Sequence, residues 1–151
     1  MKKILLLILS FSIVLAMVSG CSSGTPKMTE EEKKTIRSNL YDSIDTIEFD
    51  LDFLSRNAGN VNGAGSMKIA DTMLNGILES CDAVSEEQVI GAVSQEAGSN
   101  WKSIVVNCKQ IVEYCKELGS NNTTNLNKMK QMCSILIGTD IKEIKKEMSI
   151  N

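Results

Sequence analysis

The stretch from Val89 to Leu118, VIGAVSQEAGSNWKSIVVNCKQIVEYCKEL, decides which fold this chain adopts. Its apolar residues recur at steps of three and four, which is the spacing of one face of an α-helix. They are Val89, Val93, Ala97, Trp101, Ile104, Cys108, Ile111, Cys115 and Leu118. Gly98-Ser99-Asn100 interrupts the stripe with a sequence typical of a turn. The stretch is therefore either one long helix kinked at Gly98 or two helices that reverse direction there.

Helical spacing continues on both sides of this stretch. Thr29 with Glu32 and Ser85 with Gln88 are capping boxes that predict helix starts. The apolar stripes are Ile36, Leu40, Ile44, Ile47, Leu51 and Leu54; Met67, Ala70, Leu74, Ile77, Cys81 and Val84; and Leu126, Met129, Cys133, Leu136, Ile141, Ile144 and Met148. Because the loops between them are short, neighbouring helices should be antiparallel. The sequence predicts an all-α, up-down bundle of four or five helices.

A short apolar leader precedes the bundle. Lys2 and Lys3 are followed by an apolar segment from Ile4 to Val18. That segment is shorter than the roughly 20 residues that a permanent membrane-spanning helix needs. A charged start, a short apolar middle and small residues at the end are typical of a cleaved signal peptide. We therefore expect residues 1–20 to be removed.

The end of the leader, Val18-Ser19-Gly20-Cys21, resembles the lipobox of bacterial lipoproteins. The resemblance covers only the leader and Cys21, and Val18 stands where leucine is commoner. It implies that cleavage precedes Cys21, that the Cys21 thiol carries a diacylglyceryl group, and that further acylation, with palmitate for example, follows. The alternative is an ordinary secretory signal that is cut after Gly20 and happens to be followed by a cysteine.

These assignments divide the chain into three parts. Residues 1–20 are the signal peptide, residues 21–28 are the lipidated cysteine and a polar tether, and residues 29–151 are the helical domain. Two or three acyl chains hold a protein on a membrane effectively permanently. We therefore expect an extracytoplasmic protein anchored to the cell membrane, with the choice between inner and outer membrane left open.

Charge is distributed unevenly along the mature chain. Removal of Lys2 and Lys3 leaves 14 basic residues against 19 acidic ones, a net charge of −5. Residues 28–96 carry a net charge of −9 and residues 97–151 a net charge of +3. This is not the basic footprint of a nucleic-acid-binding protein. We expect the two halves to attract each other when the helices pack.

Lipidation of Cys21 leaves four cysteines, an even number that indicates disulfides in an exported domain. Folding the last helix back across the loop at 119–123 brings Cys108 level with Cys133, so we predict a disulfide between them. A second pair, Cys81 with Cys115, becomes possible only if the chain reverses at Gly98. The alternative for all four is that they are small buried apolar residues. A four-cysteine zinc site is disfavoured because closely spaced cysteine pairs are absent.

The sequence offers little for catalysis. It contains no histidine, which removes imidazole acid–base chemistry and a Ser-His nucleophile pair. The first predicted helix is acidic, with Asp42, Asp45, Glu48, Asp50 and Asp52. Asp45, Glu48 and Asp52 share a face on which a site for a cation or a basic partner is conceivable. A solvated face is the better interpretation, because we expect all five carboxylates to lie outside the apolar stripe. Trp101 lies on the apolar face and is expected to anchor the core. We predict no cofactor and no metal.

Three functions remain, in descending order of support. The first is a non-catalytic binding or adaptor protein whose partner is another envelope or membrane protein. The second is a carrier that encloses an apolar ligand in the bundle core, although the many large aliphatic residues indicate a filled core. The third is an enzyme, which the missing histidine disfavours.

The anchor can be tested directly. Metabolic labelling with a fatty acid should mark the wild-type protein, and Cys21→Ser should lose the label because the acyl-accepting thiol is gone. A serine variant that kept its label would contradict the lipobox assignment.

Overall fold

The computed structural model describes residues 28–57, 64–116 and 123–150. Within these ranges the chain forms five helices around one apolar core, so the prediction of an all-α bundle is confirmed. The helices are α1 (Glu30–Asn57), α2 (Ala64–Asp82), α3 (Glu86–Ala92), α4 (Gln95–Lys116), and a last helix made of α5 (Thr123–Leu136), a π-helical turn (Ile137–Ile141) and α6 (Lys142–Ile150). The signal peptide, Cys21 and the tether up to residue 27 lie outside the described residues. The up-down order of the whole bundle stays a prediction.

Both predicted capping boxes are present. At the start of α1, the Glu32 carboxylate accepts a hydrogen bond from the Thr29 backbone N–H at 2.7 Å, and the Thr29 hydroxyl accepts one from the Glu32 N–H at 3.2 Å. Ser85 and Gln88 make the same reciprocal pair before α3. Each box satisfies backbone donors that a helix start leaves without intrahelical partners.

The chain reverses between α3 and α4, but not at Gly98. The break falls at Val93 and Ser94, and Gly98 lies inside the first turns of α4. The Ser94 hydroxyl caps α4 by accepting a hydrogen bond from the Ala97 N–H at 3.0 Å. Of the two alternatives drawn from the sequence, the reversal is present and the kinked single helix is not, but the reversal lies about one helical turn before Gly98.

Gly98 instead allows α3 and α4 to approach each other closely. A methyl group at this position would overlap Ile90 Cγ1, and it would stand 3.1 Å from Ile90 Cδ1 and 3.4 Å from the Glu86 carbonyl oxygen. Four residues further along α4, Lys102 pairs with Glu86 at 3.0 Å. Because Gly98 meets Ile90 while Lys102 meets Glu86, the two helices run in opposite directions.

The π-helical turn explains an irregular step in the last apolar stripe. Leu136 and Ile141 are both buried although they are five residues apart, one more than an α-helical turn spans. A π turn is wider by one residue and therefore keeps both side chains on the core face. Asp140 in this turn accepts a hydrogen bond from the Ser103 hydroxyl on α4 at 2.5 Å.

Trp101 anchors the core as expected. Its side chain is 1% exposed, and its indole N–H donates a hydrogen bond to the Val84 carbonyl at 2.8 Å. That carbonyl belongs to the connection between α2 and α3, so the Trp101 side chain holds this connection against α4. Buried tryptophans usually find such a partner for their N–H.

Ion pairs link the two oppositely charged halves of the domain, which confirms the expected attraction. Lysines of the C-terminal half reach carboxylates of the N-terminal half in three places: Lys102 to Glu86, Lys109 to Asp82, and Lys145 to both Asp45 and Glu48. Pairs this exposed contribute about 0–1 kcal/mol each. They fix the register of neighbouring helices more than they stabilise the fold.

In the part of the chain that the structure describes, no helix combines the length and the apolar character needed to cross a membrane.

The close approach at Gly98 leads to a stability prediction. Gly98→Ala should lower the free energy of unfolding by about 1 kcal/mol, because overpacking against Ile90 outweighs the gain in helix propensity. Gly138→Ala is the matched control, since a methyl group there meets nothing within 4 Å. It should leave stability unchanged or raise it by up to about 1 kcal/mol. Urea denaturation of both variants measures the effect, and equal stabilisation by the two would refute the close contact.

Candidate functional site

The four remaining cysteines form a row through the core, which we call the thiol row. Cys81 lies in the last turn of α2, Cys108 and Cys115 lie on α4, and Cys133 lies on α5. Cys81, Cys108 and Cys133 are buried, Cys115 is partly exposed, and all four are free thiols. Neither disulfide predicted from the sequence is present in the structure.

The contacts within the row differ from the predicted pairs. The Cys81 and Cys108 side chains lie close enough to shift each other's pKa. The Cys115 thiol donates a hydrogen bond to the Met129 sulfur at 3.1 Å and does not meet Cys81. Cys133 lies near Cys108, as expected when the last helix folds back along α4. It is close enough for a charge on Cys133 to raise the pKa of Cys108.

One thiol in the row is more easily ionised than the others. The neighbouring Cys108 thiol lowers the pKa of Cys81, and the nearby Lys109 ammonium lowers it further. The proximity of Cys81, together with burial, raises the pKa of Cys108. Burial raises the pKa of Cys115 to about 11 and that of Cys133 to about 12. Thiolate character is therefore concentrated at Cys81.

A shallow depression in the surface leads to Cys81. Its volume is about 190 Å³, and its lining is Cys81, Val84, Ser85, Glu86, Trp101, Lys102, Val105 and Val106. That volume is below the roughly 300–1,000 Å³ of typical small-molecule sites. A small reagent can enter it, but it is not the cavity that an apolar-ligand carrier needs.

Metal binding finds no support in this row. Among residues 28–57, 64–116 and 123–150, no group of three or more cysteine, aspartate or glutamate side chains is arranged to hold a metal ion. The cysteines are spread along the core like its apolar residues, whereas a structural zinc site requires four ligands around one point.

The predicted acidic face of α1 is divided among several roles. Asp45 and Glu48 both bind Lys145 of α6, at 2.6 and 2.5 Å, while Asp52 pairs with Arg56 of its own helix at 2.9 Å. Partial burial acts to lower the pKa of Lys145, but its hydrogen bonds to Asp45 and Glu48 raise the pKa above the usual value. Part of the face is therefore an interhelical link and not simply a solvated surface.

Asp50 departs from the expectation that every carboxylate of α1 lies outside the apolar stripe. It is only 7% exposed and faces α2, where a methyl group on Gly76 would stand 3.0 Å from its Oδ2. Burial raises the pKa of this carboxyl group. The expectation was wrong because position 50 is three residues after Ile47, which places it at the edge of the buried stripe.

Two aromatic side chains on α1 are exposed, and the sequence interpretation missed them. Phe49 is 67% exposed and Tyr41 is 52% exposed. They are eight residues apart, with Asp45 midway, and so lie along one outer strip of the helix. We call Tyr41, Asp42, Asp45, Phe49 and Asp52 the α1 strip. Its signal was visible in the sequence as two aromatic residues outside the apolar stripe.

The buried carboxylate yields a pH-dependent prediction. The folded-state pKa of Asp50 is raised, so the stability that it contributes is fully present below its unfolded pKa of about 3.9 and is lost as pH rises through the folded pKa. Asp50→Asn should therefore raise the free energy of unfolding by about 1 kcal/mol near pH 7, and the gain should vanish near pH 3.

Urea unfolding at both pH values measures this effect, with Asp52→Asn as the control. Asp52 is more exposed and pairs with Arg56, so its amide variant should show no gain near pH 7. A loss of stability for Asp50→Asn near pH 7 would contradict the assignment.

No protein-family model matches the chain, and neither a curated protein nor a solved structure matches it.

Proposed function

We propose that this chain is a lipid-anchored extracytoplasmic protein that binds another envelope or membrane protein and performs no catalysis itself. The observation that carries the proposal is the exposure of Tyr41 and Phe49 on the α1 strip. Anchoring at Cys21 rests on the lipobox resemblance, and binding rests on this strip.

The composition of the strip favours a protein partner. Aromatic side chains are enriched in protein interfaces and supply most hot spots, because they bury a large area at a low entropic cost. A monomer gains nothing in stability by holding a phenylalanine in water. Two exposed aromatic residues on one helix face are therefore better explained by a partner than by the fold.

The charges around the aromatic residues indicate the character of that partner. Asp42, Asp45 and Asp52 flank Tyr41 and Phe49. Asp45 is paired with Lys145 and Asp52 with Arg56, but the N-terminal half of the domain that contains the strip still carries a net charge of −9. Complementarity requires apolar pockets bordered by lysine or arginine on the other protein. The proposed partner is accordingly a protein with a basic face, not an anionic lipid surface.

The two competing functions have weaker support. A carrier needs an enclosed space, whereas the core positions of the described helices are filled by large side chains such as Trp101, Leu40 and Ile104. An enzyme needs converging polar groups, and the described site offers buried thiols and one buried carboxylate on different helices.

Site-specific photocrosslinking tests the proposal in intact cells. A benzophenone amino acid at position 49 of the anchored protein should capture a specific protein, because this side chain would lie within the interface. The same probe at position 106 is the matched control, since Val106 is similarly exposed at 58% but lies on α4. Capture that is equal at both positions, or absent at position 49, would overturn the α1 strip as the binding face.

Substitutions then test the composition of the strip. With the probe moved to position 38, at the N-terminal edge of the strip, Phe49→Ser should reduce capture of the same protein at least about tenfold, the effect of losing one aromatic hot spot. Ile135→Ser, which removes a side chain that is 54% exposed on α5, should leave capture unchanged. Capture should also decline with rising salt if the flanking carboxylates contribute.

A further inference from the structure

Two thiols of the row approach the surface: Cys115, which is partly exposed, and Cys81, which is 4% exposed. Cys81 lines the surface depression together with Trp101 and Val105, whereas Cys108 is fully buried behind it. The next residues along the two helices, Asp82 and Lys109, form an ion pair at 3.2 Å, and the Cys81 and Cys108 side chains lie close enough to influence each other's pKa. The end of α2 is thus held against the middle of α4 at the level of these two thiols.

We propose that Cys81 and Cys108 are a redox-active thiol pair that closes to a disulfide by exchange with an external disulfide. Cys81 is the attacking thiol, and Cys108 is the resolving thiol. This pairing differs from both disulfides that the sequence predicted, and it assigns a chemical role to the depression. It does not depend on the binding face of α1.

The division of roles follows from position and ionisation. Thiol–disulfide exchange requires a thiolate that can reach the incoming sulfur. Cys81 meets both conditions, because it borders the depression and its pKa is lowered by the neighbouring Cys108 thiol and by Lys109. Cys108 has a raised pKa and no route to the surface, which suits a thiol that acts only in the second step.

Both steps balance without a metal or a cofactor. The Cys81 thiolate attacks one sulfur of the external disulfide, whose S–S bond breaks, and the other half leaves as a thiolate. The Cys108 thiol gives its proton to that leaving group or to water and attacks the Cys81 sulfur. The Cys81–Cys108 bond forms as the second half leaves. Two protein thiols are oxidised, and one external disulfide is reduced to two thiols.

The remaining cysteines are poorer candidates for this exchange. Cys133 is buried, and burial raises its pKa to about 12. Cys115 is partly exposed, but burial raises its pKa to about 11 and its thiol donates to Met129. Each therefore holds far less thiolate than Cys81 near neutral pH.

The linkage can be mapped without ambiguity, because trypsin leaves each of the four cysteines in its own peptide. Cleavage after lysine places Cys81 in 69–102, Cys108 in 103–109, Cys115 in 110–116 and Cys133 in 131–142. The full-length protein is purified in mild detergent, reduced, freed of reductant and treated with hydroxyethyl disulfide. This probe is small enough for the depression and is uncharged, so the negative domain does not repel it.

Non-reducing digestion should yield peptide 69–102 linked to peptide 103–109 as the main product. Cys115→Ala and Cys133→Ala should keep that product. Cys108→Ala should lose it and leave Cys81 carrying one hydroxyethylthio group, because the attacking step survives without the resolving step. Circular dichroism confirms that each variant is folded, and the wild-type map tests the proposal without any variant.

Several results would overturn the proposal. Peptide 103–109 linked mainly to 131–142 would restore the Cys108–Cys133 pair predicted from the sequence. Absence of any link, or an adduct in Cys108→Ala on peptide 110–116 and not on 69–102, would remove Cys81 from its role. A failed crosslink at position 49 would leave this result untouched, so the two proposals fail separately.

Discussion

The two-residue turn at Val93 and Ser94 folds α3 back against α4, and the other contacts of the core depend on this turn. Only a glycine at position 98 lets Ile90 approach the α4 backbone so closely. That approach places Trp101 where its indole reaches the Val84 carbonyl, and Val84 in turn fixes the end of α2 beside α4. The contact between Cys81 and Cys108 follows from this placement. A wider turn at Val93 and Ser94 would move the end of α2 away from α4 and separate the two thiols.

The helices could be predicted from the sequence, but one of their boundaries could not. Capping boxes at Thr29 and Ser85 are local chemistry, and their hydrogen bonds form as the spacing requires. The reversal was misplaced because Val93 and Ala97 stay in helical phase across the break, so periodicity alone gives no sign of it. The real signal was Ser94, a residue that favours the helix N-cap, four residues before the more conspicuous glycine. Gly98 reflects a close approach between helices, which a single sequence cannot distinguish from a turn.

The site was less predictable because it depends on contacts between distant segments. Folding the last helix back across the loop at 119–123 placed Cys133 near Cys108 correctly. The same step could not show that Cys81 of α2 also lies next to Cys108. Asp50 illustrates the same difficulty. Its burial depends on Gly76 of α2, which leaves room for a carboxyl group where a larger side chain would exclude it. The exposure of Phe49 could be foreseen from the sequence, because its position lies on the side of α1 opposite Ile44 and Leu51. Tyr41 is three residues before Ile44 and therefore lies at the margin of the buried stripe, where periodicity alone does not decide its exposure.

The position of Met28 relates the α1 strip to the proposed anchor at Cys21. Met28, the first described residue, packs against α3, where a methyl group on Gly91 would stand 2.7 Å from its Cε. In the proposed form that is anchored at Cys21, the end of the bundle that contains α3 and the start of α1 would be the end nearest the lipid. Tyr41 and Phe49 stand about 20 and 30 Å along α1 from Met28. Aromatic residues held that far from the tether suit contact with a protein that rises from the same surface better than contact with the bilayer itself. The same end also joins α1 to α3 through the Arg37 hydrogen bond to the Ala92 carbonyl at 2.8 Å. The start of α1 is therefore held against α3 at two points, Met28 and Arg37.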